Sequence, residues 1–167
     1  MPPSPPPRDL EADARLRHEL VALLQGGQAS VDAATALEGV PLARVNDRLP
    51  GWDHSLWDLL EHLRVTQADI LEFSTDAGYR DKRWPADYWP DLEAVEGDWG
   101  RALESFLSDL EALKDVARTG DLFAELGHAP GYTLLRELML AAEHNAHHLG
   151  QLIALRRQLG IWPPRDV

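Results

Sequence analysis

Glu143-His144-Asn145-Ala146-His147-His148-Leu149-Gly150-Gln151-Leu152 is the stretch on which the reading of the fold turns. On a helix, His144 and His148 stand four apart and rise from the same face, with about 5 to 6 Å between their Cβ atoms. Outward from the pair, residues 133–159 keep helical spacing. Leu134, Leu138, Ala141, Asn145, His148, Leu152 and Leu155 form the expected core stripe, with His144 on its flank. The stop is written out: Gly160 suits a left-handed cap, Ile161 can fold back on the last turn, Arg156 and Arg157 suit the negative end of the dipole, and Pro163-Pro164 forbid continuation.

Three more helices precede it. Asp9 is a cap for a first helix through Leu10, Leu16, Leu20, Leu23 and Leu24, closed by Gly26-Gly27. Residues 30–49 read as a connector broken at Pro50-Gly51. Ser55 and Asp58 have the spacing of a capping box, and helix two follows with Leu56, Leu59, Leu60, Leu63, Ile70 and Phe73. Trp99, Leu103, Phe106, Leu110 and Leu113 mark helix three, which ends near Gly120. Between helices two and three lies Trp84-Pro85-Ala86-Asp87-Tyr88-Trp89-Pro90, whose prolines exclude a continuous helix and whose aromatics need something to cover. This stretch is expected across an end of the bundle, and so long a connection permits a crossover. No internal repeat and no convincing strand is visible. The prediction is an all-α four-helix bundle, with residues 1–8 a disordered proline-rich tail and 9–167 one domain.

Composition narrows the function. The 167 residues suit one domain, and 44% hydrophobic with 26% charged is globular. A net charge of -12 without a basic stripe argues against nucleic acid. No apolar run reaches the roughly 20 residues of a membrane span and no signal peptide is apparent, so a cytoplasmic location is expected. With no cysteine, disulfides, thiolate metal sites and a cysteine nucleophile are excluded, and thiol chemistry would need an external thiol.

By itself the HxxxH pair describes surface histidines or a hydrogen-bonded core histidine, since the Glu of a metalloprotease motif is missing. A third ligand changes that. His62, on the flank of the helix-two stripe in Leu59-Leu60-Glu61-His62-Leu63, can point across the interior, where bundles assemble metal sites from facing helices. The sequence leaves open whether the three meet. His147 points about 100° away from His148 and reads as a neighbour rather than a ligand. His18 and His128 read as surface residues, and Asp58, Glu61, Asn145 and Gln151 are candidates for orienting the rings.

Ser55-Leu56-Trp57 leading into Leu60-Glu61-His62-Leu63, the Tyr88-Trp89-Pro90 loop, and the 143–152 stretch followed by Arg156-Arg157-Gln158-Leu159-Gly160 resemble the DinB/YfiT-like superfamily. The likeness runs from about Arg15 to Trp162. It implies a four-helix bundle with one divalent metal on a histidine of helix two and an HxxxH pair of helix four, here His62, His144 and His148. Relatives often carry a further histidine after helix one, where this chain has Gln28-Ala29-Ser30, so that role is absent or filled by His54.

Three imidazoles with an open position describe a catalytic site, and imidazole admits Zn or Ni first, then Fe, Mn and Cu. The resemblance implies metal-dependent transfer or isomerisation using a low-molecular-weight thiol as partner to a small-molecule substrate. The alternatives are a metal-assisted hydrolase, with Glu61 or His54 relaying protons, and a non-enzymatic metal-binding stress-response or interaction protein. A homodimer through bundle faces is the expected assembly.

Overall fold

The computed structural model describes residues 9–163, so the proline-rich tail read at residues 1–8 lies outside the described residues. Four long helices, α1 (Leu10–Gln25), α3 (Leu56–Thr75), α4 (Asp98–Thr119) and α5 (Leu134–Gln158), carry the architecture, with a short α2 (Ala33–Leu37) in the first connection. The caps fall where the sequence puts them. Asp9 accepts from the Glu11 and Ala12 amides, Ser55 and Asp58 form the reciprocal box, and Gly160 has φ +71°, while Thr133, expected inside the last helix, is its cap and accepts from the Arg136 amide.

In cross-section the helices form a ring in which α3 touches α4 and α5, and α1 touches the same two, so α1 and α3 are diagonal. Cross-helix pairs give the directions. Arg17 donates to the carbonyls of Ala117 and Gly120, while Gln25 and Glu111 hold Lys114, which makes α1 and α4 antiparallel. Trp57, Glu61 and Arg64 advance alongside Asp98, Arg101 and Ser105, and Gln67 reaches the Phe106 carbonyl, which makes α3 and α4 parallel. His62 meets both His144 and His148 on α5, while further along α3 Asp69 and Phe73 share a cavity with the earlier Glu137 and Arg136, which is antiparallel order.

Parallel α3 and α4 require the connection through residues 76–97 to travel back along α3. Tyr79 and Lys82 bond Asp69, the Tyr88 carbonyl meets His62, and the Leu92 carbonyl accepts from the Trp57 indole at 2.9 Å. The aromatic stretch therefore runs along the side of α3 and not across an end of the bundle. It is the crossover that the length of this connection permits.

One contiguous core fills the ring, with Leu60, Leu63, Phe106, Leu113, Leu138 and Leu152 fully buried. Periodicity errs at two places. Leu10 and Leu23 of the α1 stripe are exposed, and on α5 the buried positions run Ala141, Asn145, Leu149 and Leu152, so His148 leaves the core. Arg156 is wholly buried, donating to the Ala36 and Ile161 carbonyls. A small antiparallel hairpin, β1 (Glu125–Leu126) with β2 (Ala129–Thr133), precedes α5. Its strands are too short, and Pro130 and Gly131 too disruptive, for alternation to show in the sequence.

Candidate metal centre

The Ser55–Asp58 box, with bonds of 2.9 and 3.1 Å, fixes the start of α3 and so the phase at which His62 enters the interior. His62 is 2% exposed, in the core and not on its flank. From α5, His144 and His148 come to it half-buried, and one ring nitrogen of each of the three lies within 4.8 Å of the others. The Nε2 atoms of His62 and His144 are 3.1 Å apart. Two nitrogens on one Zn, each about 2.0 to 2.1 Å from it, would stand roughly 3 Å apart or slightly more.

The second ring nitrogens decide what the inner ones can do. His62 Nδ1 lies 2.9 Å from the Tyr88 carbonyl, which only accepts, so Nδ1 carries the proton and Nε2 a lone pair. His148 Nδ1 donates to Gln151 Oε1 at 2.7 Å with the same consequence. Lone pairs thus face one another in a partly dry space, an arrangement that a shared cation satisfies. Burial is the largest cause lowering all three ring pKa values. It takes His144 to about 3 and His148 to about 4, with neighbouring imidazoles adding to the effect. His62 is lowered as well, against the Tyr88 bond that raises it. Near neutral pH all three rings are uncharged, the form that ligates.

Trp89 stacks flat on His62 at 3.9 Å and, on its other face, on His54 at 3.9 Å. His54 is thus a layer of the wall, one indole removed from the triad. Trp84 adds an edge contact at 6.4 Å. His147 is exposed and touches only the His148 ring in this group, at 4.8 Å. His18 is exposed; His128 is exposed too, but it packs edge-on to Phe73 at 4.9 Å.

Of the candidate orienting groups, Gln151 serves His148, and Asn145 is buried beside His144. Asp58 instead caps α3 and pairs with Arg48, and Glu61 pairs with Arg64. Sequence reading misses the Tyr88 carbonyl, since a backbone group carries no residue signature. It also misses Asp69, whose carboxylate accepts from the hydroxyls of Tyr88 at 2.6 Å and Tyr79 at 3.0 Å and pairs with Lys82. Gln67 is the third omission, and its signal was there: a polar residue between Leu63 and Ile70 on the apolar stripe.

The profile of the DinB superfamily matches residues 14–152. The chain belongs to the DinB superfamily. The match spans most of α1, all of α3 and α4 and the part of α5 that carries both histidines, so the helical bundle of this DinB protein is the fold of its family. Comparison with curated proteins and with solved structures returned no match. No helix among the described residues is long and apolar enough to cross a membrane.

Proposed function

We propose that His62, His144 and His148 hold one divalent ion, Zn or Ni before Fe, Mn or Cu, and that this DinB protein is a metal-dependent transferase using a low-molecular-weight thiol. The observation that carries the reading is the convergence of three ring nitrogens while two of the outer nitrogens are committed to acceptors. When bound, the ion supplies a Lewis acid that lowers the pKa of a thiol at its open position. The protein supplies the rest. Tyr88 and Gln151 hold ring orientation, and Trp89 and Trp84 form an apolar wall that keeps water from one side of the site.

Room for a substrate body exists nearby. A cavity of about 550 Å³ lies further along the groove between α3 and α5, lined by Asp69, Phe73, Tyr79, Tyr132, Arg136 and Leu140. Leu140 precedes His144 by about one helical turn, roughly 6 Å of rise. Such a volume suits a small organic ligand. In the transfer, sulfur forms a bond to the electrophilic carbon, the leaving group departs with its electron pair, and the thiol proton goes to solvent.

The test is metal analysis of the purified chain, followed by conjugation of a chloro-nitroaromatic with a panel of small thiols. Wild type is expected to retain about one equivalent of metal and to exceed the rate given by free metal. His148→Ala is expected to lose both properties, because a remaining pair cannot fix an open tetrahedral site. The fold of that variant survives, since His148 stands outside the core. A fully loaded wild type with no rate above free metal for any thiol overturns the transferase reading.

A further inference from the structure

We propose that the cavity between α3 and α5 is an ammonium site, in which Glu137 receives the primary amine of a small organic molecule beside a wall of aromatic rings. The inference deepens the transferase reading by naming a group that the substrate carries. It rests on that reading for the use of the amine and not for its binding.

Four separate stretches of chain build the cavity. Phe73 comes from α3, Tyr79 from the crossover connection, Tyr132 from β2 and Glu137 from α5. Phe73 is the hub of the rings, and Tyr79, His128 and Tyr132 meet it edge-on at 5.0, 4.9 and 5.8 Å. The hairpin, invisible in the sequence, thus closes one side of the cavity and brings His128 into the same wall. Aromatic faces attract an ammonium that comes within about 6 Å of the ring centre.

Glu137 supplies the directional part. It lines the cavity and is 3% exposed. Its Oε1 accepts from Arg136, and its Oε2 accepts no hydrogen bond among the described residues. A carboxylate oxygen so far removed from water is costly to leave without a donor. A primary ammonium entering the cavity supplies that donor as a charge-assisted bond.

The charge of the wall selects the same class of ligand. Lys82 pairs with Asp69 and Arg136 with Glu137, while Asp81 on the same wall has no ion pair among the described residues, so the acids outnumber the cations. Arg136 is held between Glu137 and the Tyr132 ring, 4.1 Å from its centre, and gives an anionic ligand little to bind. Glu137 stands two helical turns before His144, about 10 Å of rise. A substrate with its amine on Glu137 and its reacting atom at the triad is therefore elongated, with roughly 10 Å between the two groups.

The test titrates benzylammonium into the full-length chain, treated with chelator so that no metal competes for the amine. At about pH 8 the amine keeps its proton and free imidazoles have lost theirs. Benzyl alcohol and benzoate are probes of similar shape without the cation, and the backbone amide shifts of Tyr132, Glu137 and Leu140 locate whatever binds. Benzylammonium is expected to bind at least about tenfold more tightly than either control and to move those amides. Glu137→Gln keeps the shape without the charge and is expected to weaken it about tenfold, and Tyr132→Leu about threefold. His148→Ala is expected to bind it as wild type does. Equal binding of the three probes overturns the proposal, as does a folded Glu137→Gln chain that binds benzylammonium like wild type. Loss of binding in His148→Ala also overturns it, because the amine then sits at the histidines. If Glu137→Gln does not fold, the probe panel and Tyr132→Leu decide. A chain that binds the ammonium and transfers no thiol loses the transferase reading and keeps this one, whereas thiol transfer without preference for the ammonium does the reverse.

Discussion

Replacing Asp69 by Asn changes one buried oxygen for nitrogen and should be felt at the triad. The carboxylate is 7% exposed and accepts from Tyr88 at 2.6 Å and Tyr79 at 3.0 Å, with Lys82 Nζ at 3.1 Å. Hydrogen bonds to a charged group contribute about 1.5 to 3 kcal/mol each, against about 0.5 to 1.5 for neutral pairs. Neutralising Asp69 thus costs about 1 kcal/mol at each hydroxyl. Lys82, with 29% of its side chain exposed, loses a pair of the partly screened kind that contributes up to about 1 kcal/mol. The expected loss is about 2 to 3 kcal/mol of a typical 5 to 15, read from urea melts with unchanged slope. Because Tyr88 also places the carbonyl that orients His62, Zn affinity should fall about tenfold, the low end for an outer partner. Tyr79→Phe removes a hydroxyl from the same acid without touching the Tyr88 carbonyl, and should cost about 1.5 to 3 kcal/mol with Zn affinity unchanged. A destabilisation below about 0.5 kcal/mol for Asp69→Asn, or equal Zn affinities across all three proteins, would refute this account.

Burial holds His144 at about 3 and His148 at about 4, whereas in the unfolded chain both return to about 6.5. Between those values the unfolded state binds more protons, so stability of the metal-free chain is full above pH 6.5 and falls as pH drops through the window towards 4. Thermal melts should show that decline, and a His144→Gln, His148→Gln double variant should flatten it; identical profiles would contradict it. Trp89→Ala removes both faces of the stack between His54 and His62, about 0.5 to 1.5 kcal/mol per face, and should weaken Zn binding, while Trp89→Phe retains most of it. Gly120→Ala would bring a Cβ to 2.3 Å from Leu134 Cδ2 and 2.9 Å from the Val116 carbonyl, and because the latter is backbone the melts should show a loss of about 1 to 3 kcal/mol.

The helix boundaries were legible in the sequence because caps are local: Asp9, Ser55 with Asp58 and Gly160 act within four residues of themselves. The α5 histidine ladder is local too. The phase of α5 was not, because steps of three and four both suit a helix. After Asn145 the step to His148 and the step to Leu149 are equally periodic, and only the neighbouring helices decide that Leu149 is buried and His148 stands at the rim. His62 was misplaced for the same reason. Its true partner, a carbonyl 26 residues away, depends on the path of a connection and not on any residue type.

That path is where topology and site meet. Since α3 and α4 run parallel, residues 76–97 must return over about the length of α3, some 30 Å at 1.5 Å per residue. A chain making that return needs anchors, and it finds Asp69 first, then His62, then the Trp57 indole. The middle anchor is the ligand candidate itself. One bond from the connection therefore does two things: it satisfies the passing backbone and commits the outer nitrogen of His62. A bundle with α3 and α4 antiparallel could join them by a short turn, and no chain would cross the histidine. The Trp89 wall and the His62 tautomer are consequences of helix order, which explains why cutting the Asp69 anchor, two turns away, is expected to reach the triad.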